Sequence, residues 1–208
     1  HCYEYLLDTF QDFSIVPVIG LDRTQEHKQA IISHIKKQHT YIKTIAFRVT
    51  SEDFQSYPAI QDEISELFEG LLEFIEETVF SRIKRINQEV NGSVDRLQRI
   101  LTFILAFADK NPGLCCILVG GALSGEKPRL QQRAGHFFER LETELRHVLR
   151  EGEIHEKKKL RMVGHAGENL LVLNIEGRIH QYVRSEFKMS PTTGWSAHWP
   201  LLAAGLFH

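Results

Sequence analysis

The chain has 208 residues, of which 42% are hydrophobic and 25% are charged, and its formal net charge at pH 7 is −2. This composition is ordinary for a globular protein. No apolar run reaches 18 residues and the start lacks the layout of a signal peptide, so we expect neither a membrane span nor a secretory leader. Three cysteines do not make a disulfide framework, which favours a reducing cytoplasm.

The charges are spread evenly along the chain. Residues 1–60 carry six Lys or Arg against seven Asp or Glu, and residues 61–208 carry 19 against 20. Neither part is a basic module, so any binding of nucleic acid would need a locally focused patch of positive charge.

The first part of the chain gives mixed signals. An aromatic-rich amphipathic stretch over residues 3–13 precedes a β-branched run over residues 14–20. That run suits an edge strand or a connector, because its proline cannot donate to a central strand. Thr24 is a good N-cap for a helix over Gln25–Lys37. Residues 41–49 alternate as a strand does, but they fit a short helix equally well.

From residue 63 onward the apolar residues recur in steps of three and four, which predicts helices. These helices cover residues 63–88, 94–108, 114–123, 129–150 and 168–187, followed by a last one with Trp195 and Trp199. The helix over 94–108 is apolar on nearly every side, so we expect it to be the central helix of a bundle, with Ser93 as its cap. Residues 152–167 are predicted to be a basic, mobile loop. The fold is therefore expected to be all-α, with an N-terminal domain over residues 1–62 and a C-terminal domain over residues 63–208.

No catalytic constellation stands out. The sequence contains no glycine-rich phosphate loop, no G-x-S-x-G, no H-E-x-x-H and no C-x-x-C. Its histidines, including His136, His147, His165 and His180, lack carboxylate or thiol partners at ligand spacing, so we predict no metal, no cofactor and no enzyme activity. The lysines at 157–159 are interpreted as a solvated loop, since short charge runs are common.

The last two helices carry more apolar surface than a single core-facing stripe requires. Such an excess on terminal helices predicts a homodimer interface, and the alternative is that all of it folds back on one core. The residues predicted for the dimer interface are Leu171, Ile175, Ile179, Tyr182, Trp199, Leu202 and Leu206.

Five sequence blocks together resemble the C-terminal domain of TetR-family regulators. They lie at residues 67–86, 111–118, 137–151, 176–188 and 199–206. Within the family they are most similar to the nucleoid occlusion group. This resemblance implies a cytoplasmic, nucleoid-associated homodimer that pairs through its last two helices. It also implies an N-terminal helix-turn-helix that binds DNA, and contact with the division protein FtsZ that blocks ring assembly over the nucleoid.

The resemblance also implies a set of residues that contact the FtsZ-type partner. Carried over by motif, they are Phe74, Arg82, Phe103, Ala106, Lys110 and Asn111. Two of these differ in type from the group's pattern, which has Leu and Gly where this chain has Phe103 and Ala106, and Lys110 replaces an Arg. Lysine keeps the positive charge but lacks the bidentate fork of arginine.

The helix-turn-helix itself is not recognisable in this sequence. The segment most similar to such a motif has a helix over residues 42–48, a turn over 49–52 and a short recognition helix over 53–57. The DNA-binding residues predicted from it are Thr50, Ser51, Gln55 and Tyr57. Alternatively, this part is a different small domain with two strands around Gln25–Lys37. A ligand-responsive TetR-type repressor and a dimeric interaction module without DNA binding remain alternative functions.

Overall fold

A computed structural model describes residues 2–9, 17–20, 23–37, 46–48, 57–119, 128–162 and 165–208. In chain order its elements are α1 (Cys2–Thr9), β1 (Val18–Gly20), α2 (Gln25–Lys37), β2 (Ala46–Arg48), α3 (Tyr57–Glu89), α4 (Ser93–Lys110), α5 (Pro112–Leu118), α6 (Pro128–His155), α7 (Ala166–Arg184) and α8 (Trp195–Leu206). The fold class is all-α, as predicted, and the two short strands are confined to the N-terminal part.

The described N-terminal residues form a small strand–helix–strand unit. β1 and β2 pair in parallel, with Val18 opposite Ala46 and Gly20 opposite Arg48, and α2 lies between them in the chain. Helix α2 has the predicted bounds, and the Thr24 hydroxyl accepts the backbone N–H of His27 at 3.3 Å. Helix α1 packs against α2. The strand alternative is therefore correct at residues 46–48, and the helix alternative is wrong there.

Helix α3 begins at Tyr57, six residues before the start that the apolar pattern predicts. Pro58 lies in its first turn, where a missing N–H costs no intrahelical hydrogen bond. The predicted division between residues 62 and 63 falls inside this helix, and the domain boundary stays a prediction.

Helix α4 is central, because it contacts α3, α5, α6, α7 and α8. It is central as predicted, but the neighbouring helices do not surround it completely, as its apolar composition had suggested. Leu97, Leu101 and Leu105 are fully buried, whereas Thr102 and Lys110 are exposed. The neighbouring helices cover one broad face and leave a strip of α4 open. Within the described residues no single helix meets the length and hydropathy of a membrane span, although the bent pair of α4 and α5 meets them jointly.

Helix α6 ends at His155, five residues beyond its predicted end, and the expected mobile loop after it is tied down. Leu160 pairs with Phe207 in an antiparallel bridge. The Arg161 side chain donates through Nε to the Phe207 carbonyl at 2.7 Å, and the His208 N–H donates to the Lys159 carbonyl at 2.9 Å. The basic segment thus pairs with the C-terminal residues.

The start of α4 is capped by Glu156, the residue that follows α6, and not by the side chain of Ser93. Ser93 is the first residue of the helix, and Glu156 accepts its backbone N–H at 2.5 Å and its hydroxyl at 3.0 Å. Gly152 lies against the same serine, and a Cβ there would be 2.6 Å from Ser93 Oγ and 2.9 Å from Ser93 Cβ. The close packing of α6 on α4 therefore requires a glycine at 152.

We expect Gly152→Ala to lower the free energy of unfolding by about 2–3 kcal/mol, because the added methyl group forces the two helices apart. Chemical denaturation followed by far-UV circular dichroism measures the change. The matched control is Gly135→Ala in the same helix, where nothing lies within 4 Å of an added Cβ. That change should be stabilising by about 0.5–1 kcal/mol. Equal stability of the two variants would contradict the packing argument.

Candidate protein-contact surfaces

A strip of α4 stays open along its C-terminal half. Phe103 and Phe107 are half-buried with ring centroids 6.2 Å apart, Ala106 between them is half-buried, and Lys110 is exposed. Asn111 donates its side-chain amide to the Phe107 carbonyl at 2.7 Å. We name this surface, formed by Phe103, Ala106, Phe107, Lys110 and Asn111, the α4 strip.

The C-terminal end of the α4 strip is held rigid by buried groups. The Tyr182 hydroxyl of α7 donates to the Asp109 carbonyl at 3.1 Å, and the Cys115 thiol of α5 contacts the Ala108 carbonyl at 3.3 Å. Burial raises the pKa of Cys115 to about 12, so this thiol is neutral and serves packing. The corner between α4 and α5, where the helix axis bends by 110°, is thereby fixed.

The six predicted partner residues do not all lie on one open surface. Phe103, Ala106, Lys110 and Asn111 belong to the α4 strip, and Arg82 is exposed on α3. Phe74 is only 4% exposed and lies in the subunit core, so its ring is not free for a partner. It lines the floor of a groove between α3 and α6, where the Arg140 guanidinium sits 4.0 Å above the ring centroid of Phe80.

The residues predicted for the dimer interface pack mainly within the subunit, and their part in an interface stays a prediction. Those that are buried in the chain's own core are Leu171, Ile175, Ile179, Tyr182, Trp199 and Leu206. Leu202 alone among them is half-buried. The predicted residues of α7 recur in steps of three and four and face the bundle. Such spacing identifies a buried face of a helix, but it does not tell whether the same subunit or a partner covers that face.

A second stripe on the last two helices is open instead. On α7 it contains Leu173, Gly177, His180, Gln181 and Arg184, and on α8 it contains Ala197, Pro200, Leu201 and Ala204. Leu173 is 56% exposed and Leu201 is 74% exposed. We name this surface the α7–α8 face. Its exposed leucines share the face with the small residues Gly177, Ala197 and Ala204 and with polar side chains of α7, and an exposed apolar patch with a polar surround marks a protein-contact site.

A polar cluster links α7 to α6 beside this face. The Glu168 carboxylate accepts Arg146 Nε at 2.7 Å and lies 2.8 Å from His165 Nδ1, while Arg146 Nη2 donates to Glu142 at 2.8 Å. The expectation that His136, His147, His165 and His180 lack carboxylate partners is therefore wrong. Besides His165, His147 lies 3.5 Å from a glutamate, and His136 and His180 each lie 3.9 Å from one. The ligand atoms of Glu142, His165 and Glu168 lie within 4.8 Å of one another. Since Arg146 already supplies a positive charge to both carboxylates, we interpret the cluster as an ion-pair network.

Burial alone would raise the pKa of Glu168, but hydrogen bonds from Arg146, a backbone N–H and His165 outweigh it and hold the pKa below its usual value. The carboxylate therefore stabilises the fold above the ordinary glutamate pKa of about 4.3, and this contribution is lost as the pH falls through the lower folded-state value.

We expect Glu168→Gln to lower the free energy of unfolding at pH 7 by about 2 kcal/mol, because Arg146 loses a charged acceptor. The gap between wild type and variant should narrow as the pH falls below the ordinary glutamate pKa of about 4.3 and through the lower folded-state pKa of Glu168. Urea unfolding at pH 7, 5 and 3.5 measures this gap. Glu153→Gln, an exposed change on α6, should show no gap at any pH. A gap for Glu168→Gln that is constant down to pH 3.5 would contradict the assignment.

Three of the four predicted DNA-binding residues, Thr50, Ser51 and Gln55, lie outside the described residues. Tyr57 is the first residue of α3. The predicted helix over residues 42–48 is replaced at its end by strand β2, and residues 49–56 are not among those the structure describes.

Two family models match the chain, one over each half. Residues 91–206 match the model described as tetracyclin repressor-like, C-terminal domain, of the SlmA-like type. Residues 1–106 match the model described as Beta protein. The two matches overlap inside α4.

Several relatives are similar in sequence over about two thirds of the chain. It is 44% identical to a nucleoid occlusion factor SlmA of Marinomonas sp. (strain MWYL1) over 142 residues, which are 68% of this chain and 72% of that protein. The SlmA of Marinobacter nauticus is also 44% identical, over 141 residues covering the same shares. The SlmA of Alteromonas mediterranea is 47% identical over 133 residues, or 64% of this chain and 68% of that protein.

The bundle of α3 to α8 and these matches place the protein in the class of TetR-like regulators. The chain belongs to the TetR family through its C-terminal bundle and to the Beta protein family through its N-terminal half. Within the TetR family it belongs to the group of the nucleoid occlusion factor SlmA. The second family membership accounts for the unrecognisable helix-turn-helix, since the N-terminal half matches a different family.

Proposed function

We propose that this protein acts as a nucleoid occlusion factor, a homodimer that binds chromosomal DNA and inhibits assembly of an FtsZ-type division protein over the nucleoid. The observation that carries the proposal is the 44% identity to the Marinomonas SlmA over 142 residues. The C-terminal bundle leaves two surfaces open, and each suits one of the two protein contacts that this function needs.

The α7–α8 face is our proposed homodimer contact. In a two-fold interface each subunit presents the same surface, so the face must be complementary to itself. Leu173 and Leu201 supply exposed apolar area, and the small exposed residues Gly177 and Ala204 let the helices of two subunits approach closely. Two helices from each subunit then form a four-helix contact that covers the exposed leucines.

We expect Leu201→Asp to weaken the dimer by at least about 100-fold, because the two-fold axis doubles the cost of burying an unpaired carboxylate. Sedimentation velocity over a dilution series measures the dissociation constant. Ile154→Asp is the matched control, since Ile154 is 71% exposed at the end of α6, outside the α7–α8 face. Dimers of unchanged stability in the Leu201 variant would exclude this face.

The α4 strip, together with the exposed Arg82 of α3, is our proposed contact for the FtsZ-type protein. It combines half-buried phenylalanine rings with the cation Lys110, which suits a peptide that carries both an apolar residue and a negative charge. The rigid corner at Asn111 supports the strip, so little ordering is needed on binding.

We expect Lys110→Glu to raise the concentration that half-inhibits GTP-dependent FtsZ assembly by about fivefold or more, because it reverses the charge at the contact. Light scattering of FtsZ polymers in the presence of the protein measures the inhibition. The control is Lys157→Glu, near the residue that caps the opposite end of α4, about 25 Å away along this 18-residue helix. Equal loss in both variants would point to a general charge effect and contradict the assignment.

A second candidate function, a dimeric interaction module without DNA binding, is favoured by one observation. β1 and β2 pair in the N-terminal part, where a helix-turn-helix would place helices. Fluorescence-anisotropy titration with chromosomal fragments at 50 and 200 mM salt separates the two candidates. The nucleoid occlusion proposal requires binding at micromolar protein that weakens with salt, because phosphate contacts release counterions. Its absence, with FtsZ inhibition retained, would establish the interaction module instead.

A further inference from the structure

The first turns of helix α8 are held to the bundle by two tryptophans and one arginine, while its C-terminal end is tied to residues 159–161. Trp195 and Trp199 are 7% and 5% exposed, and their ring centroids are 5.9 Å apart. The Trp195 indole N–H donates to the Thr102 hydroxyl of α4 at 2.8 Å. The helix is only 12 residues long and contains Pro200, so its position depends on these anchors more than on a long packing surface.

Arg178 of α7 fixes the turn that leads into α8. Its Nε donates to the Asn174 side chain at 3.1 Å, and its Nη1 donates to the carbonyls of Pro191 at 2.9 Å and Thr193 at 3.1 Å. The guanidinium carbon also lies 5.2 Å from the ring centroid of Trp195. The side chain therefore holds both the turn and the first residue of α8.

The remaining donor of Arg178, Nη2, bonds to Nδ1 of His198 in α8. The imidazole also lies against Gly194, where an added Cβ would be 3.5 Å from His198 Nε2. Because arginine only donates, Nδ1 must accept, and the imidazole must be neutral with its proton on Nε2. A protonated imidazole has no acceptor to offer.

We propose that the Arg178–His198 pair is a proton-sensitive latch that holds α8 in the position required by the α7–α8 face. The inference rests on the proposed homodimer for its effect on assembly. Its effect on α8 within one subunit stands independently of that proposal.

The surroundings of the pair make it sensitive to protonation. The charged group that faces His198 in the described contacts is Arg178 itself, from α7. The turn contributes the carbonyls of Pro191 and Thr193, which accept from Arg178. Protonation would therefore place two cations side by side, with no carboxylate between them in these contacts. The latch therefore opens when the imidazole of His198 gains a proton.

Opening the latch has a direct consequence for the α7–α8 face. Ala197, Leu201 and Ala204 are all carried by α8, whereas Leu173 and Gly177 are carried by α7. When α8 shifts relative to α7, the exposed residues of these two helices no longer fit the exposed residues of α7 and α8 in a second subunit. We therefore expect the dimer to weaken in parallel with the release of α8.

Tryptophan fluorescence reports on the position of α8, since both tryptophans of the chain lie on this helix. The emission of wild type should shift to longer wavelength between pH 7.5 and 5.5 as the indoles meet water. His198→Gln keeps a neutral acceptor and should show no shift. His198→Arg carries a permanent cation and should show the shifted emission at both pH values. The matched control is His136→Gln, which removes an exposed histidine of α6 that lies 3.9 Å from Glu139 and should behave as wild type.

The dimer dissociation constant, measured by sedimentation over the same pH values, is the second readout. It should rise about fivefold from pH 7.5 to 5.5 in wild type, equivalent to about 1 kcal/mol, and stay constant in His198→Gln. Repeating the fluorescence in the Leu201→Asp variant separates the two proposals. A shift that persists in monomers supports the latch even where the dimer proposal fails. An emission shift in wild type that equals the shift in His198→Gln would overturn the latch.

Discussion

The close approach of α6 to the first residue of α4 is the constraint on which the bundle depends. Gly152 brings the two backbones together at Ser93, and Glu156 then satisfies the otherwise unpaired N–H at the start of α4. Burial alone would raise the pKa of Glu156, but hydrogen bonds from Lys158 and Ser93 keep its pKa below the usual value, so it stays a charged acceptor. The same segment carries on into residues that pair with the C-terminal Phe207, which ties the end of the chain to this junction.

With α4 fixed at that end, the other helices cover one broad face of it and leave the α4 strip open. Helices α7 and α8 are anchored differently, by polar groups at their ends. Glu168 and Arg146 tie the start of α7 to α6, and Arg178 ties its later turns to the start of α8. Both open surfaces are therefore presented by helices whose buried faces are well packed. This division suits a protein that binds other proteins through rigid helical surfaces.

The helical part of this architecture was predictable because its apolar residues recur at 3.6-residue spacing over long segments. The five blocks from residue 67 onward also predicted the TetR-like bundle, which the matches over residues 91–206 confirm. The N-terminal part was not predictable to the same degree. Strands of three residues are too short to show a period, and residues 46–48 fitted a strand and a helix equally well. The pairing with β1, 28 residues earlier, decides between the two.

The sequence by itself determined which segments are helices, their order and the apolar positions on each of them. It did not determine which apolar positions face a partner. Ile175 and Leu173 are both apolar residues of α7, yet Ile175 is fully buried and Leu173 is 56% exposed. Phe74 and Phe103 likewise lie in similar apolar surroundings in the sequence, but one is in the core and the other borders an open strip. Helical periodicity fixes where side chains stand around one helix axis, whereas burial depends on which other helices cover that side, and only the tertiary packing decides this.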